Sequence, residues 1–374
     1  MANSSKWSKR LLALFCSMVL SVIVAEIAAR HYFYPIRFYN NFTYIPTIYD
    51  PLLGYLPEPD WHGLMQNLDY SVNVSIGSDG LRATSNVLKN ENNSESAIFF
   101  GDSFIFGDGL NDEQTIPSQV SLALSGEGKN IKCLNAGVLG WSPAQALLYY
   151  QRLSQKNKFD KVIYGICLEN DIADNSAFLS GRFQLSKDTI VWLNKNASPP
   201  TNAEDISIVK KLLRSSRLYV VFASYLRRFA PMLRSKIEKS GAVNNTFKEQ
   251  QNNVSKFFRT SQDSETEKSW EKLQDVLKIW KQETELEKRE LILVPFSSAW
   301  MIDDNLFSKL TAQWPEGKYD RTYVLNRVKE IAEKENIRVI DPSSMIRKEH
   351  FYIFDGHLKP DGAKIAARFI ADNL

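Results

Sequence analysis

Apolar and polar positions change their spacing several times along this chain, and each change marks a different kind of element. Residues 11–29 form an apolar run whose only ionisable members are Glu26 and the weakly acidic Cys16, and Lys6, Lys9 and Arg10 precede it. At 1.5 Å per residue a helix of that length reaches about 28 Å, close to the hydrocarbon thickness of a bilayer, so the pattern predicts a transmembrane anchor. The basic residues in front of it predict a cytoplasmic segment 1–10 and a single pass through the inner (cytoplasmic) membrane, with the rest of the chain extracytoplasmic, in the periplasm. A cleaved signal peptide is the competing reading, but Arg30 and His31 follow directly and no small-x-small site stands out. Residues 30–67 read as a spacer, rich in Pro and aromatic residues over 34–64, that leads to a domain spanning 68–374.

Within that domain Tyr70, Val72, Val74 and Ile76 alternate with polar neighbours and run into Gly77-Ser78-Asp79-Gly80, which predicts a short strand and a turn. Short apolar runs then alternate with helical periodicity. Strands are expected at 97–100, 131–134, 161–167, 291–294 and 337–340, and helices at 115–124, 143–153, 265–288, 320–335 and 361–373. Val162, Ile163, Ile166 and Cys167 suit a strand covered on both faces. This alternation predicts a doubly wound α/β domain, a mostly parallel sheet with helices on either side. Residues 176–264 break the rhythm with a hairpin at 183–185 and 189–193, a helix rich in Leu, Val, Tyr and Arg, and a polar stretch, 236–268, of little expected order. They read as a mainly helical insertion.

Composition narrows the function by exclusion. With 46 Lys+Arg against 43 Asp+Glu the formal charge is +3, which makes no case for a nucleic-acid partner. Cys16, Cys133 and Cys167 lack the paired spacing of a zinc or redox site, so no metal is expected. Residues 101–109 carry neither the Gly-Lys-Ser/Thr of a phosphate-binding loop nor a Gly-x-Gly-x-x-Gly turn, and no cofactor is expected.

The candidate chemistry sits where predicted strands end. Gly101-Asp102-Ser103 stops the 97–100 run, which presents Ser103 at a strand's carboxyl end, the side on which open α/β sheets bind ligands. Alone, such a serine is as ordinary as any helix cap. Three more clusters fall on the same rim: Asn135 to Ser142 with Gly140, Glu169-Asn170-Asp171, and Phe354-Asp355-Gly356-His357. Acyl transfer through serine needs a base, a carboxylate to orient it and donors for the oxyanion. His357 is the candidate base, Asp355 its partner and Ser103 the nucleophile. The backbone amides of Ser103 and Gly140 and the side-chain amide of Asn170 are the candidate oxyanion donors. His350 is the fallback base, whereas His31 and His62 lie in the anchor and spacer regions.

With these four blocks in this order, the chain resembles the SGNH (GDSL-type) hydrolases. Gly101-Asp102-Ser103 matches the first block, Asn-x-Gly-x-x-Gly-x-Ser with Gly140 the second, Asn170-Asp171 the third and Asp355-x-His357 the last, over about 68–182 and 290–374. It also looks like the membrane-anchored bacterial branch, in which an element like Gly80-Leu81-Arg82 precedes the Gly-Asp-Ser strand. The resemblance implies a flavodoxin-like sheet and hydrolysis or transfer of ester-linked acyl groups, often on carbohydrate. Two positions depart from the pattern: Leu168 stands where the third block has Gly, and one residue rather than two separates Asp355 from His357. In a flavodoxin-like strand order 2-1-3, Cys133 and Cys167 lie two strand spacings apart, roughly 9.6 Å, so free buried thiols are expected. The expected function is an extracytoplasmic serine esterase acting on an O-acyl, foremost O-acetyl, ester of a small molecule or envelope glycan. An O-acyltransferase using the same residues and a non-catalytic envelope binding protein are the alternatives.

Overall fold

The structure, a computed structural model, describes residues 2–32, 45–66, 69–85, 95–180, 183–186, 189–192, 216, 218–219, 255–312, 317–353 and 355–374. The helix expected in the insertion after 193 and most of the polar stretch from 236 lie outside the described residues. The N-terminal apolar run is a helix, Ala2–Tyr32, whose segment Lys9–His31 contains an 18-residue window with a mean hydropathy of 2.5 that is not buried against the rest of the chain. By length and composition it could cross a membrane or serve as a signal sequence.

Two hairpins follow: β1 (Thr47–Asp50) pairs antiparallel with β2 (Gly54–Pro57), and β3 (His62–Gln66) with β4 (Ser71–Ser75). The expected boundary at 67/68 falls inside the second hairpin. Leu53 and Met65 are fully buried, so the segment from residue 45 onward is built into the domain rather than spacing it from the N-terminal helix. Asp50 ties this segment down through Arg152 at 2.7 Å, and Gln145 donates to the Leu53 carbonyl at 2.7 Å.

The central sheet contains β5 (Glu95–Gly101), β6 (Ile131–Gly137), β7 (Lys161–Cys167), β10 (Glu290–Phe296) and β11 (Arg338–Val339), all parallel, in the order β11-β10-β7-β5-β6. Between β7 and β10 lies a separate hairpin of β8 (Phe183–Ser186) and β9 (Thr189–Trp192). Numbered among the five core strands, the order is 2-1-3-4-5, the flavodoxin-like doubly wound arrangement. Side-chain alternation splits the core into two layers. Ile98, Phe100, Val162, Tyr164 and Leu293 face the helices Pro143–Ser154, Asp171–Leu179, Ser264–Leu286 and Tyr323–Lys334. Ala97, Phe99, Ile163, Ile292 and Val294 face Ile116–Gly126 and Pro360–Asp372.

The expected edges of the insertion shift at both ends. The helix Asp171–Leu179 packs on the sheet and takes in 176–179, and at the other end Ser255, Phe257 and Phe258 are already buried. Phe257 and Phe258 join the core on apolar area, a stronger force than the polarity of their neighbours. The expected strand 337–340 shortens to the two-residue β11, because an edge strand keeps only the pairing its single neighbour offers. Cys133 on β6 and Cys167 on β7 are buried and not joined in a disulfide, with β5 between them.

Candidate functional site

Strand β5 ends at Gly101, and the chain turns at once into a one-turn helix, Ser103–Phe106. Asp102 caps it, accepting from the Phe104 amide at 3.0 Å. This turn lies across three strands only because each carries glycine there: Gly101 is in register with Gly137 on β6 and Gly165 on β7. A Cβ on Gly137 would sit 2.3 Å from the Phe106 nitrogen, and one on Gly165 would sit 2.4 Å from Ile105 Cγ1. Ile105 fills the hollow these glycines leave. Asn135 pins the turn from β6, its Nδ2 donating to the Ile105 carbonyl at 2.9 Å while its Oδ1 accepts from Gly137 N at 3.0 Å. Arg82, fully buried, donates to the carbonyls of Phe106 at 2.6 Å and Gly107 at 2.7 Å and to that of Leu110, and pairs with Asp112 at 3.2 Å.

From the other side the loop before the last helix delivers His357. Tyr352 N donates to the His357 carbonyl at 2.8 Å, closing the loop 352–357 on itself. His357 Nε2 then lies 2.7 Å from Ser103 Oγ and its Nδ1 lies 2.5 Å from Asp355 Oδ1. With the proton on Nδ1 donated to Asp355, Nε2 is free to accept from the serine hydroxyl, the tautomer that general-base chemistry requires. The side chains of His357 and Asp355 are 22% and 6% exposed. The single-residue Asp-x-His spacing therefore still brings carboxylate and imidazole together, with Gly356 absorbing the tight bend at φ 94°.

Burial opposes charge on His357, but Asp355 and Asp108, the hydrogen bond to Asp355 and the charge of Asp102 outweigh it and push the imidazolium pKa up to about 10. The surrounding acids thus stabilise the imidazolium that forms when the ring takes up a proton. Asp108 is a group that sequence reasoning missed: it is 5% exposed, and its Oδ2 lies 3.8 Å from His357 Nδ1. Its available signal was the tripeptide Gly107-Asp108-Gly109, in which glycines at φ 87° and 80° turn an acid back toward the serine.

The remaining predicted residues hold the rim positions their strands give them. Gly140 follows β6 in a left-handed conformation, φ 71°, beside Leu139, whose carbonyl accepts from Tyr55 Oη at 2.6 Å. Asn170 follows β7 and caps the helix Asp171–Leu179, its Nδ2 donating to Asp174 one turn on at 2.6 Å, which leaves one amide hydrogen for another acceptor. Asp174 and Tyr55 are two further neighbours without a sequence signal. Asp171 accepts from Tyr164 Oη at 2.8 Å and Cys167 N at 2.9 Å and so shapes the loop rather than lining it. Leu168, the position that departs from the Gly of the resembled pattern, donates from its backbone to the Phe296 carbonyl at 2.9 Å and extends the β7–β10 ladder. His350 is not the base: its Nδ1 accepts from Arg347 N at 3.0 Å within its own turn.

Beside Ser103 and His357 lies a tight cleft bounded by Phe104, Leu110, Ile116 and Leu358. Among the described residues Asp108, Asp355 and His357 form a group whose ligand atoms lie close enough for a cation. The Nδ1 it would use is the one hydrogen-bonded to Asp355.

No family model matches the chain, and no curated protein matches it. Solved structures with overall likeness include a lipase/acylhydrolase from Enterococcus faecalis, 14% identical, covering 75% of this chain and 94% of its own at a TM-score of 0.38. The psychrotrophic esterase EstA of a Pseudoalteromonas species is 10% identical, with 75% and 96% covered and a TM-score of 0.38. A member of the lipolytic G-D-S-L family from Veillonella parvula is 12% identical, with 75% and 97% covered and a TM-score of 0.34. Likeness at this level assigns no residue a role in this chain, whose site rests on its own geometry.

Proposed function

We propose that this protein is a serine hydrolase of carboxylic esters, with Ser103 as nucleophile, His357 as general base and Asp355 as its orienting carboxylate. The observation that carries the proposal is the continuous chain of short contacts, 2.7 Å from Ser103 Oγ to His357 Nε2 and 2.5 Å from Nδ1 to Asp355. Ser103 Oγ attacks the ester carbonyl as its proton passes to Nε2, and Asp355 stabilises the imidazolium that forms. The backbone amides of Ser103 and Gly140 and the free amide hydrogen of Asn170 hold the oxyanion. The imidazolium then returns the proton to the leaving alcohol, and water, activated by the same histidine, releases the acid.

The acyl group we propose is small, O-acetyl foremost, and the carrier an envelope carbohydrate. The apolar N-terminal helix with Lys9 and Arg10 at its start supports a membrane-held enzyme acting outside the cytoplasm. The test is p-nitrophenyl acetate turnover and labelling by a serine-directed phosphonate, on detergent-solubilised full-length protein, wild type against Ser103→Ala. Turnover and label lost in the variant are expected. Equal label in both proteins, or none in either, would overturn the assignment.

A further inference from the structure

The residues around His357 include a second carboxylate for which a Ser-His-Asp mechanism has no use. Asp108 is buried, its amide donates to the Ser103 carbonyl at 3.0 Å, and its flanking glycines are fixed by their surroundings. A Cβ on Gly109 would meet the rings of Tyr352 at 2.7 Å and Tyr70 at 2.9 Å, and one on Gly107 would meet Thr115 at 2.8 Å. Behind them Arg82 holds the Gly107 carbonyl at 2.7 Å, and Tyr352 Oη holds that of Gly109 at 2.9 Å. The loop is locked on both sides of the acid. Tyr70 joins the two carboxylates: its Oη donates to Asp108 Oδ1 and lies 3.5 Å from Asp355 Oδ2. Asp355 is itself held through its backbone, which donates to Asp69 Oδ2 at 2.7 Å.

We propose that Asp108 is a second positioning carboxylate for His357: with Asp355, and bridged to it by Tyr70, it forms a two-acid clamp on the Nδ1 side of the ring. This inference rests on the assignment of His357 as the base for Ser103. Asp355 takes the Nδ1 hydrogen, while Asp108, 3.8 Å away, acts through its charge and stands within one side-chain rotation of taking over the hydrogen bond. The charged groups that face the ring are Asp355 on its own loop, Asp108 after the Ser103 helix and Asp102 at the end of β5; Arg82 lies behind Asp108, and Tyr70 and Tyr352 flank it. Burial and the charge of Asp355 raise the Asp108 pKa to about 6, against His357, Tyr70 and Arg82, so Asp108 carries its charge above that pH. Each negative charge favours the imidazolium. Removing one must lower the ring's pKa and let it act as a base at lower pH.

The experiment follows the His357 titration in detergent-solubilised full-length protein labelled with 15N-histidine, the resonance identified with His357→Gln, together with the pH dependence of ester turnover. Asp108→Asn should move the titration and the acidic limb of kcat/KM down by about one pH unit or more, the scale of a charge partner within 4–6 Å. Asp355→Asn should keep at least about tenfold more turnover than the double variant, because Asp108 still orients the ring. Tyr70→Phe, which leaves both acids in place, should move the same titration in the same direction by less, and serves if Asp108→Asn does not fold. Titration curves of Asp108→Asn and Tyr70→Phe that superimpose on wild type would overturn the clamp. Because the resonance reports without turnover, a shifted titration in a protein that neither turns over ester nor labels at Ser103 supports the clamp while removing the hydrolase assignment.

Discussion

Replacing Gly137 by alanine adds one methyl group at a place where none fits. The new Cβ would stand 2.3 Å from the Phe106 nitrogen, 2.8 Å from the Ile105 carbonyl carbon and 2.9 Å from Ile105 Cγ2, against the 3.4 Å at which ordinary contact begins. Two of those atoms are backbone, so no rotamer relieves the clash. Gly137 is not among the glycines with positive φ, which makes the cost steric rather than conformational. Either β6 or the Ser103–Phe106 turn must move by about 1 Å, and the turn is the smaller body. Overpacking of this kind costs about 1–3 kcal/mol of stability. The same displacement would pull Ser103 Oγ away from His357 Nε2, now 2.7 Å distant, and a misplacement of about 1 Å is worth about 10²-fold in rate. Urea unfolding reads the first number; p-nitrophenyl acetate turnover and the phosphonate labelling rate read the second. Gly126→Ala is the control: a Cβ there meets nothing within 4 Å, so both readouts should hold or improve. A Gly137→Ala protein within threefold of wild type in rate, and unchanged in unfolding midpoint, would refute the account of why these strands carry glycine there.

Arg82→Met removes donors to three carbonyls and one side of the ion pair with Asp112 from a fully buried site, and should cost about 3–5 kcal/mol in urea unfolding; an unchanged midpoint would mean the Phe106 to Leu110 turn holds itself. Asn170→Ala should lower kcat by about 10²- to 10³-fold with little change in KM, the loss of one oxyanion donor; a KM effect alone would make Asn170 a ground-state contact. Cys133 and Cys167 should ignore a thiol reagent in the folded protein, since burial pushes the Cys133 thiol up to about 12 and the Cys167 thiol upward as well. Both should react once the chain is unfolded in urea, and a mass showing them joined would contradict the placement of β5 between them.

The sheet was legible because each core strand is an apolar run too short for a helix and each crossover has helical spacing. Lys161–Cys167 matches its expected bounds, and the chain order of strands gives the flavodoxin-like order with right-handed crossovers. Ser103, His357 and Asp355 were legible for a different reason, as polar residues at strand and loop ends in a short ordered list. Tyr70, read as one more apolar position in a strand, carries its chemistry at the tip of a ring whose body is core. Asp108 sits in a turn of a kind acids commonly occupy, and only the closing of the Ser103 loop against His357 brings its carboxylate to the ring. The hairpin of β1 and β2 was hidden by its prolines and aromatic residues, a composition equally at home in an extended linker.

That hairpin also decides where the protein can be cut. Tyr55 on β2 covers Trp141 edge-on at 6.3 Å and fastens the loop that contains Gly140, while Gln145 holds the Leu53 carbonyl and Arg152 holds Asp50, both ahead of position 68. A form trimmed of the N-terminal helix has to start before residue 45. One that begins at 68 would lose half of the β3–β4 ladder, uncover an indole and a sheet edge, and leave the Gly140 loop without its fastening. The stretch that looks like a tether is the first shaped part of the domain.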